Sequence, residues 1–326
     1  MNIRQTLVAF VLGVALPAGA SETVTTAPQQ GAGNDERAGG QAAAAAAASP
    51  WSARIGLGGR YDSNVAILDI DTRAGAGDWY AQIEFGGAYT WNPDDSDSRV
   101  RVGYDLTQSL YNDFDDFNLR THRGALDASH DLGVFTGGFL GNFVHASLDD
   151  SKFLVFRQYS PYVSRLFGSR LFLRGAYAYT EKDFAGNPLR DSDAHQFSGD
   201  AFVFLDGLNT YLVFGYRHDR ESAVADWFDY VGNRYSAQLV RRIQVGERRV
   251  VTRARVRHER RSYDAPDPSI EAPRRDRRTR FEGIVEVPLG ERTGLTASWE
   301  YADNDSNLPA VDFSKHVVSL MFNARF

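Results

Sequence analysis

The feature that most constrains this chain is an apolar side chain at every second position, sustained in segments from Trp51 to Phe326. Residues Trp79, Ala81, Ile83, Phe85, Gly87, Tyr89 and Trp91 share one face of an extended segment, while Gln82, Glu84 and Thr90 share the other. Period two belongs to the β-strand, whose successive side chains point to opposite faces. The last segment repeats the pattern. His316, Val318, Leu320, Phe322, Ala324 and Phe326 alternate with Lys315, Ser319, Asn323 and Arg325.

A soluble antiparallel sheet also alternates. Three features separate the two readings. The segments run roughly 10–14 residues, about twice the usual globular strand. They are many and evenly spaced, and their connections alternate short and long, as outer-membrane barrels require. Aromatics at both ends of the apolar face match the two girdles of such a barrel. Lipid offers no hydrogen bonds to a free strand edge, so a spanning sheet must close. The pattern predicts an all-β fold, a transmembrane antiparallel up-and-down β-barrel of the outer-membrane type with about 14 strands.

The predicted strands lie near 52–62, 78–91, 99–111, 119–131, 135–148, 153–166, 170–182, 194–206, 209–220, 230–244, 249–262, 277–287, 293–303 and 313–326. Short turns at 131–135, 167–169, 206–208, 245–248 and 288–292 are placed on the periplasmic side with both termini, as is the longer 92–98. The connections 63–77, 112–118, 149–152, 183–193, 221–229, 263–276 and 304–312 then face outside. The stretch 135–166 fits least well, because Gly137, Gly138 and Pro161 interrupt its alternation.

Before Trp51 the composition changes. Arg4, the apolar run Leu7 to Leu16, and Ala18-Gly19-Ala20 before Ser21 read as a cleaved secretory signal over residues 1–20. Residues 21–50 are Ala- and Gly-rich, include the Ala42 to Ala48 run, and are expected to be a disordered periplasmic segment. The barrel then occupies 51–326, in the cell outer membrane, with outer-membrane lipid and the barrel assembly machinery as partners. The chain has no Cys, so a disulfide framework, a thiolate metal site and a lipidated N-terminus are excluded.

Charge is uneven. Between Arg241 and Arg280 there are 14 Arg against 6 acids, in a chain of net charge −6. On the eleventh predicted strand Val250, Thr252, Ala254 and Val256 form the lipid face, so Arg249, Arg253, Arg255 and Arg257 point into the lumen. An Arg at the midplane of the lipid face would cost about 2–4 kcal/mol. Arg278, Arg280, Glu282 and Glu286 join them from the next strand, and Arg242 from the preceding one. Two readings stand. Either these Arg form a ladder favouring anions or acidic oligosaccharides, or they pair with lumen acids such as Asp200, Glu84, Glu282 and Glu300 and stiffen the wall. Nucleic acid is not an expected partner, given export and the net negative charge.

No enzyme is expected. The seven His are scattered, and the adjacent pairs His218-Asp219 and His258-Glu259 face opposite sides of their strands. No cofactor is implied. Two oxygen-rich segments, Asn112 to Asn118 and Asp303 to Asn307, lack the EF-hand spacing, so no metal site is assigned.

Two motifs carry a family resemblance. The first strand ends in Tyr61-Asp62-Ser63-Asn64-Val65. The last hairpin carries Tyr301-Ala302, Asp305-Ser306-Asn307-Leu308-Pro309, His316-Val317-Val318-Ser319-Leu320 and a terminal Phe326. These stretches resemble the C-terminal barrel domain of the surface lipoprotein assembly modifier family, over residues 51–326. The resemblance implies a barrel that helps move a surface lipoprotein or other polypeptide to the cell surface. Related signatures occur in barrels that accompany exopolysaccharide export. The family's N-terminal tetratricopeptide repeats have no counterpart in residues 21–50, which implies either a separate periplasmic partner or a different conduit. Phe326 resembles the general signal read by the barrel assembly machinery. The residues alone leave two alternatives open: a passive porin with an Arg-lined lumen, and an occluded structural barrel.

Overall fold

The computed structural model describes residues 49–93 and 96–326. The expected signal peptide, and nearly all of the segment 21–50, lie outside the described residues. In chain order the strands are β1 (Trp51–Asp62), the two-residue β2 (Ala66–Ile67) and β3 (Thr72–Arg73), β4 (Asp78–Trp91), β5 (Ser98–Tyr111), β6 (Leu119–Asp131), β7 (Thr136–Leu148), β8 (Ser151–Phe167), β9 (Leu171–Phe184), β10 (Ser192–Asp206), β11 (Thr210–Ala223), β12 (Tyr230–Val245), β13 (Arg248–Asp267), β14 (Ala272–Pro288), β15 (Thr293–Ser306) and β16 (Phe313–Arg325). All except β2 and β3 form one closed barrel of 14 strands, in which β1 pairs antiparallel with β16. Each predicted segment corresponds to one barrel strand, and 78–91 and 119–131 coincide with β4 and β6.

Alternation sorts the side chains as a lipid-exposed barrel requires. On β4, Trp79, Ile83 and Phe85 are exposed, whereas Asp78, Tyr80 and Gln82 between them are buried. Register carries this parity around the ring: Tyr61, Trp79, Tyr216, Tyr235, Trp299 and Val318 lie outside. The outward apolar residues form a belt, and no helix among the described residues is long and apolar enough to cross a membrane. The crossing is made by strands, whose backbone groups pair with the neighbouring strands around the closed ring.

Pro161 sits within β8, where its missing N–H leaves the Tyr177 carbonyl without its ladder donor. Ser160 Oγ donates to that carbonyl at 2.8 Å. This local replacement lets β8 keep Pro161 without losing its place between β7 and β9.

One expectation fails. The connection 263–276 is not a long loop: β13 continues to Asp267 and β14 starts at Ala272, leaving only a tight turn with Glu271 at φ 53°. A membrane strand needs about 9–11 residues, and β13 has 20. Its upper part stands above the lipid, where both faces meet water. Polar residues such as Arg260, Ser262, Arg275 and Arg277 then occupy the outer face, and hydropathy no longer alternates.

Candidate functional site

The first motif closes the barrel. Asp62, on the inner face of β1, accepts Lys315 Nζ of β16 at 2.9 Å and its own Asn64 N–H at 3.1 Å. Ser63 N donates to the His316 carbonyl at 2.9 Å, and His316 N donates to Ser63 Oγ at 2.8 Å. Asn64 Nδ2 reaches the Ser314 carbonyl at 3.4 Å. Tyr61-Asp62-Ser63-Asn64 therefore joins the first strand to the last at the end of the seam away from Phe326.

The chain after this motif turns into the lumen. Val65, Ala66 and Ile67 are buried. Val65 exchanges backbone hydrogen bonds with Ala76 and Ala74, and β2 pairs with β3 to make a miniature hairpin. Ile67 packs in one apolar cluster with Leu119 of β6, Val144 and Ala146 of β7, Phe153, Leu154 and Phe156 of β8, and Phe184 of β9. Burying these apolar groups away from water holds the hairpin inward.

At its tip Asp71, at φ 52°, is bonded to two guanidinium groups. Arg190, in the connection between β9 and β10, forms an ion pair with its Oδ2. Arg274 of β14 donates from Nη1 to both Asp71 oxygens at 3.1 Å. In the ring of 14 strands the β9–β10 connection stands almost opposite the β1–β4 connection from which the hairpin starts. The segment 63–77 thus bridges the mouth of the barrel at the end away from Trp51 and Phe326, from the seam to the far rim.

The second motif supports the same latch. Arg274 also makes a two-pronged bond to Asp276, Nε to Oδ1 at 2.9 Å and Nη2 to Oδ2 at 2.8 Å. Such forks are geometrically specific and strong. Asp276 accepts Ser306 Oγ at 2.8 Å, and the Arg275 N–H donates to Asn307 Oδ1 at 2.8 Å. Ser306-Asn307-Leu308-Pro309 therefore holds the strand end that carries Arg274. The oxygen-rich Asp303 to Asn307 segment spends its groups in this way, with Asp305 also pairing to Arg277 at 3.1 Å.

Below the latch the predicted inner-face residues lie where alternation puts them, and acids face them strand by strand. Arg253 pairs with Glu286. Arg255 lies 3.3 Å from Glu282 and donates to Gln238 at 2.7 Å. Arg280 reaches Glu300 at 3.4 Å, and Arg278 reaches Asp276 at 3.3 Å. Arg242 donates to the Leu208 carbonyl, and Arg249 and Arg257 share the inner face of β13. Glu259, buried beneath the latch, is held by Arg234 and Arg261. Elsewhere Arg54 of β1 reaches Asp105 of β5 at 2.6 Å, passing over Gly86 of the intervening β4, where a Cβ would lie 2.9 Å from Arg54 Nε. The Arg-rich stretch is thus a paired wall, not a bare ladder. Phe326 exchanges backbone hydrogen bonds with Ala53 at 2.9 and 3.1 Å, at the inner end of the same seam.

Sequence reading missed Asp71, Arg190, Arg274 and Asp276. Period two within Pro273-Arg274-Arg275-Asp276 contained the signal for the last pair, since Arg274 and Asp276 continue the face of Arg278 and Arg280. Asp71 and Arg190 lie in connections whose local sequence says nothing about what they meet.

No family model and no curated protein matches this chain. Solved structures with a similar fold include the anion-selective porin from Comamonas acidovorans, at 11% identity and TM-score 0.46, covering 85% of this chain and 98% of that one. A bacterial polysaccharide outer membrane secretin gives 10% identity and TM-score 0.46, covering 84% and 97%. In-vitro-folded OmpT of Vibrio cholerae gives 8% identity and TM-score 0.47, covering 86% and 98%.

Proposed function

We propose that this protein is an outer-membrane channel for small solutes whose outer mouth is constricted by the segment 63–77. The observation that carries the reading is the bridge itself: Ile67 packed on β6–β9 and Asp71 bonded to Arg190 and Arg274 across the opening. Below it, a wall on which Arg253, Arg255 and Arg280 each face a glutamate suits a water-filled path. Passage of a polypeptide, which the family resemblance implies, would require the hairpin to leave the lumen.

The test is planar-bilayer recording of the purified full chain beside a variant with residues 65–76 replaced by a short Gly-Ser turn. The expected result is small, intermittent conductance from the native barrel and a steady, several-fold larger current from the shortened one. A shortened barrel that stays silent overturns the channel. Silence combined with loss of a surface lipoprotein in a deletion strain would favour translocation.

A further inference from the structure

The outer face of β11–β15 changes character along its length. Moving away from Phe326, the apolar belt ends in Tyr216, Tyr235, His258 and Tyr301. One alternation further the face turns basic. Arg260 of β13 and Arg277 of β14 stand directly opposite each other in the register. Arg220 of β11 and Arg275 of β14 lie one alternation beyond them, and all four side chains are exposed. Arg277 pairs with Asp305 of β15 at 3.1 Å, whereas Arg220, Arg260 and Arg275 have no ion pair among the described residues. The other acids near them are Asp303, opposite Thr279, and Asp264, beyond Ser262. On β9 and β10 the same outer face carries Glu181, Asp183 and Asp193 instead.

This arrangement is the reverse of the inner wall, where Arg253, Arg255 and Arg280 each face a glutamate. Like charges directly opposite each other on a sheet repel. Arg260 Nε donates to His258 Nε2 at 3.2 Å, and His258 Nδ1 is held by Thr279 Oγ1 at 3.0 Å. Both terminal amino groups of Arg260 are left without an acceptor among the described residues. An anion seated between Arg260 and Arg277 turns one repulsion into two attractions, and a phosphate matches the forked donors of arginine. Nearer Phe326 on the same strands, Tyr235, Val256 and Phe281 present an exposed apolar face. Val256 lies about 13 Å along the strand from Arg260. An apolar face ending in cations is complementary to a lipid, with its chains on the first and its phosphate on the second. The basic positions spread from β11 to β14, about 14 Å across the strands, which is wider than one phosphate. We propose that the outer face of β11–β14 binds a glycolipid carrying more than one phosphate, in the leaflet at the end away from Phe326. The choice of a glycolipid, the lipid class of an outer leaflet, rests on the loop lengths that place this end at the cell exterior. The site does not depend on whether the lumen conducts.

The full chain in detergent is titrated with diphosphoryl lipid A, and the complex is followed by native mass spectrometry. A saturable complex is expected, with the fully dephosphorylated lipid binding about tenfold more weakly or worse. Arg260→Gln together with Arg277→Gln is expected to weaken the diphosphoryl complex about tenfold or more. Arg120→Gln together with Arg157→Gln removes the same charge from outward positions elsewhere on the ring, where the arginines pair with Asp150 and Asp183, and is expected to leave the affinity unchanged. Arg220→Gln alone is expected to weaken binding several-fold, and it decides the matter if the Arg260 and Arg277 double variant fails to fold. Absence of a saturable complex with the native barrel overturns the site, and so does an equal loss in the two double variants. Equal binding of the dephosphorylated lipid overturns the phosphate contact. Equal binding of phosphatidylglycerol overturns the glycolipid and makes the patch a seat for any lipid phosphate.

Discussion

The ring of Tyr162 occupies the place of the side chain that Gly138 lacks. A Cβ at Gly138 would lie 2.2 Å from Tyr162 Cζ and 2.4 Å from its hydroxyl. The glycine is therefore the gap through which Tyr162 of β8 crosses β7 to reach Asp127 of β6. Three strands are tied together at one point, and Arg174 from a fourth is stacked on the tie.

Gly138→Val is expected to displace Tyr162, leave Asp127 without its hydroxyl donor, and destabilise the barrel by about 1–3 kcal/mol, the usual penalty of overpacking. Heat-induced unfolding followed by the gel-mobility shift of the folded barrel checks this. Gly124→Val is the control, since a Cβ there meets nothing within 4 Å. Equal midpoints for the two variants would refute the crossing.

The seam offers a second prediction. Asp62 and Lys315 are both buried, and their 2.9 Å bond joins the first strand to the last. Lys315→Met leaves a buried carboxylate uncompensated, which costs about 3–5 kcal/mol. Adding Asp62→Asn removes that charge and is expected to recover at least half of the loss. Denaturant unfolding of the four proteins in the cycle measures the coupling.

Selectivity follows from the paired wall. In the barrel with the shortened 65–76 segment, Glu282→Gln together with Glu286→Gln frees Arg255 and Arg253 from the carboxylates that face them. The sign is fixed: two negative charges disappear and no positive one does. Reversal potentials in a KCl gradient should move toward chloride, more at about 0.1 M than at 1 M, where screening shortens the reach of each charge.

The two faces of β13 give a direct comparison. Val256→Arg places a cation on the lipid face and is expected to cost about 2–4 kcal/mol near the midplane. Arg257→Val, on the inner face next to it, should cost clearly less. Folding yields and unfolding midpoints in lipid vesicles separate the two, and a reversed order would place β13 the wrong way round.

Strand number, strand order and the direction of each wall residue were readable from the chain alone, because lipid and water meet alternate side chains and impose period two on the composition. Trp79, Ile83 and Phe85 record that demand locally, as do Arg253 and Arg255. The reading ended where the lipid ended. Above it, β13 and β14 keep their pairing, but water on both faces erases the hydropathy signal, so Arg274 and Asp276 passed as loop. Only the closed barrel decided what the connections do. Asp71, Arg190 and Arg274 are far apart in sequence, and their meeting depends on ring closure bringing opposite rims within a hairpin's length of each other. The same holds for Arg174: whether a charged side chain pairs with the neighbour opposite it or turns away depends on the shape of the space around both, such as the ring of Tyr162 and the bare Gly215, and no periodicity encodes that space.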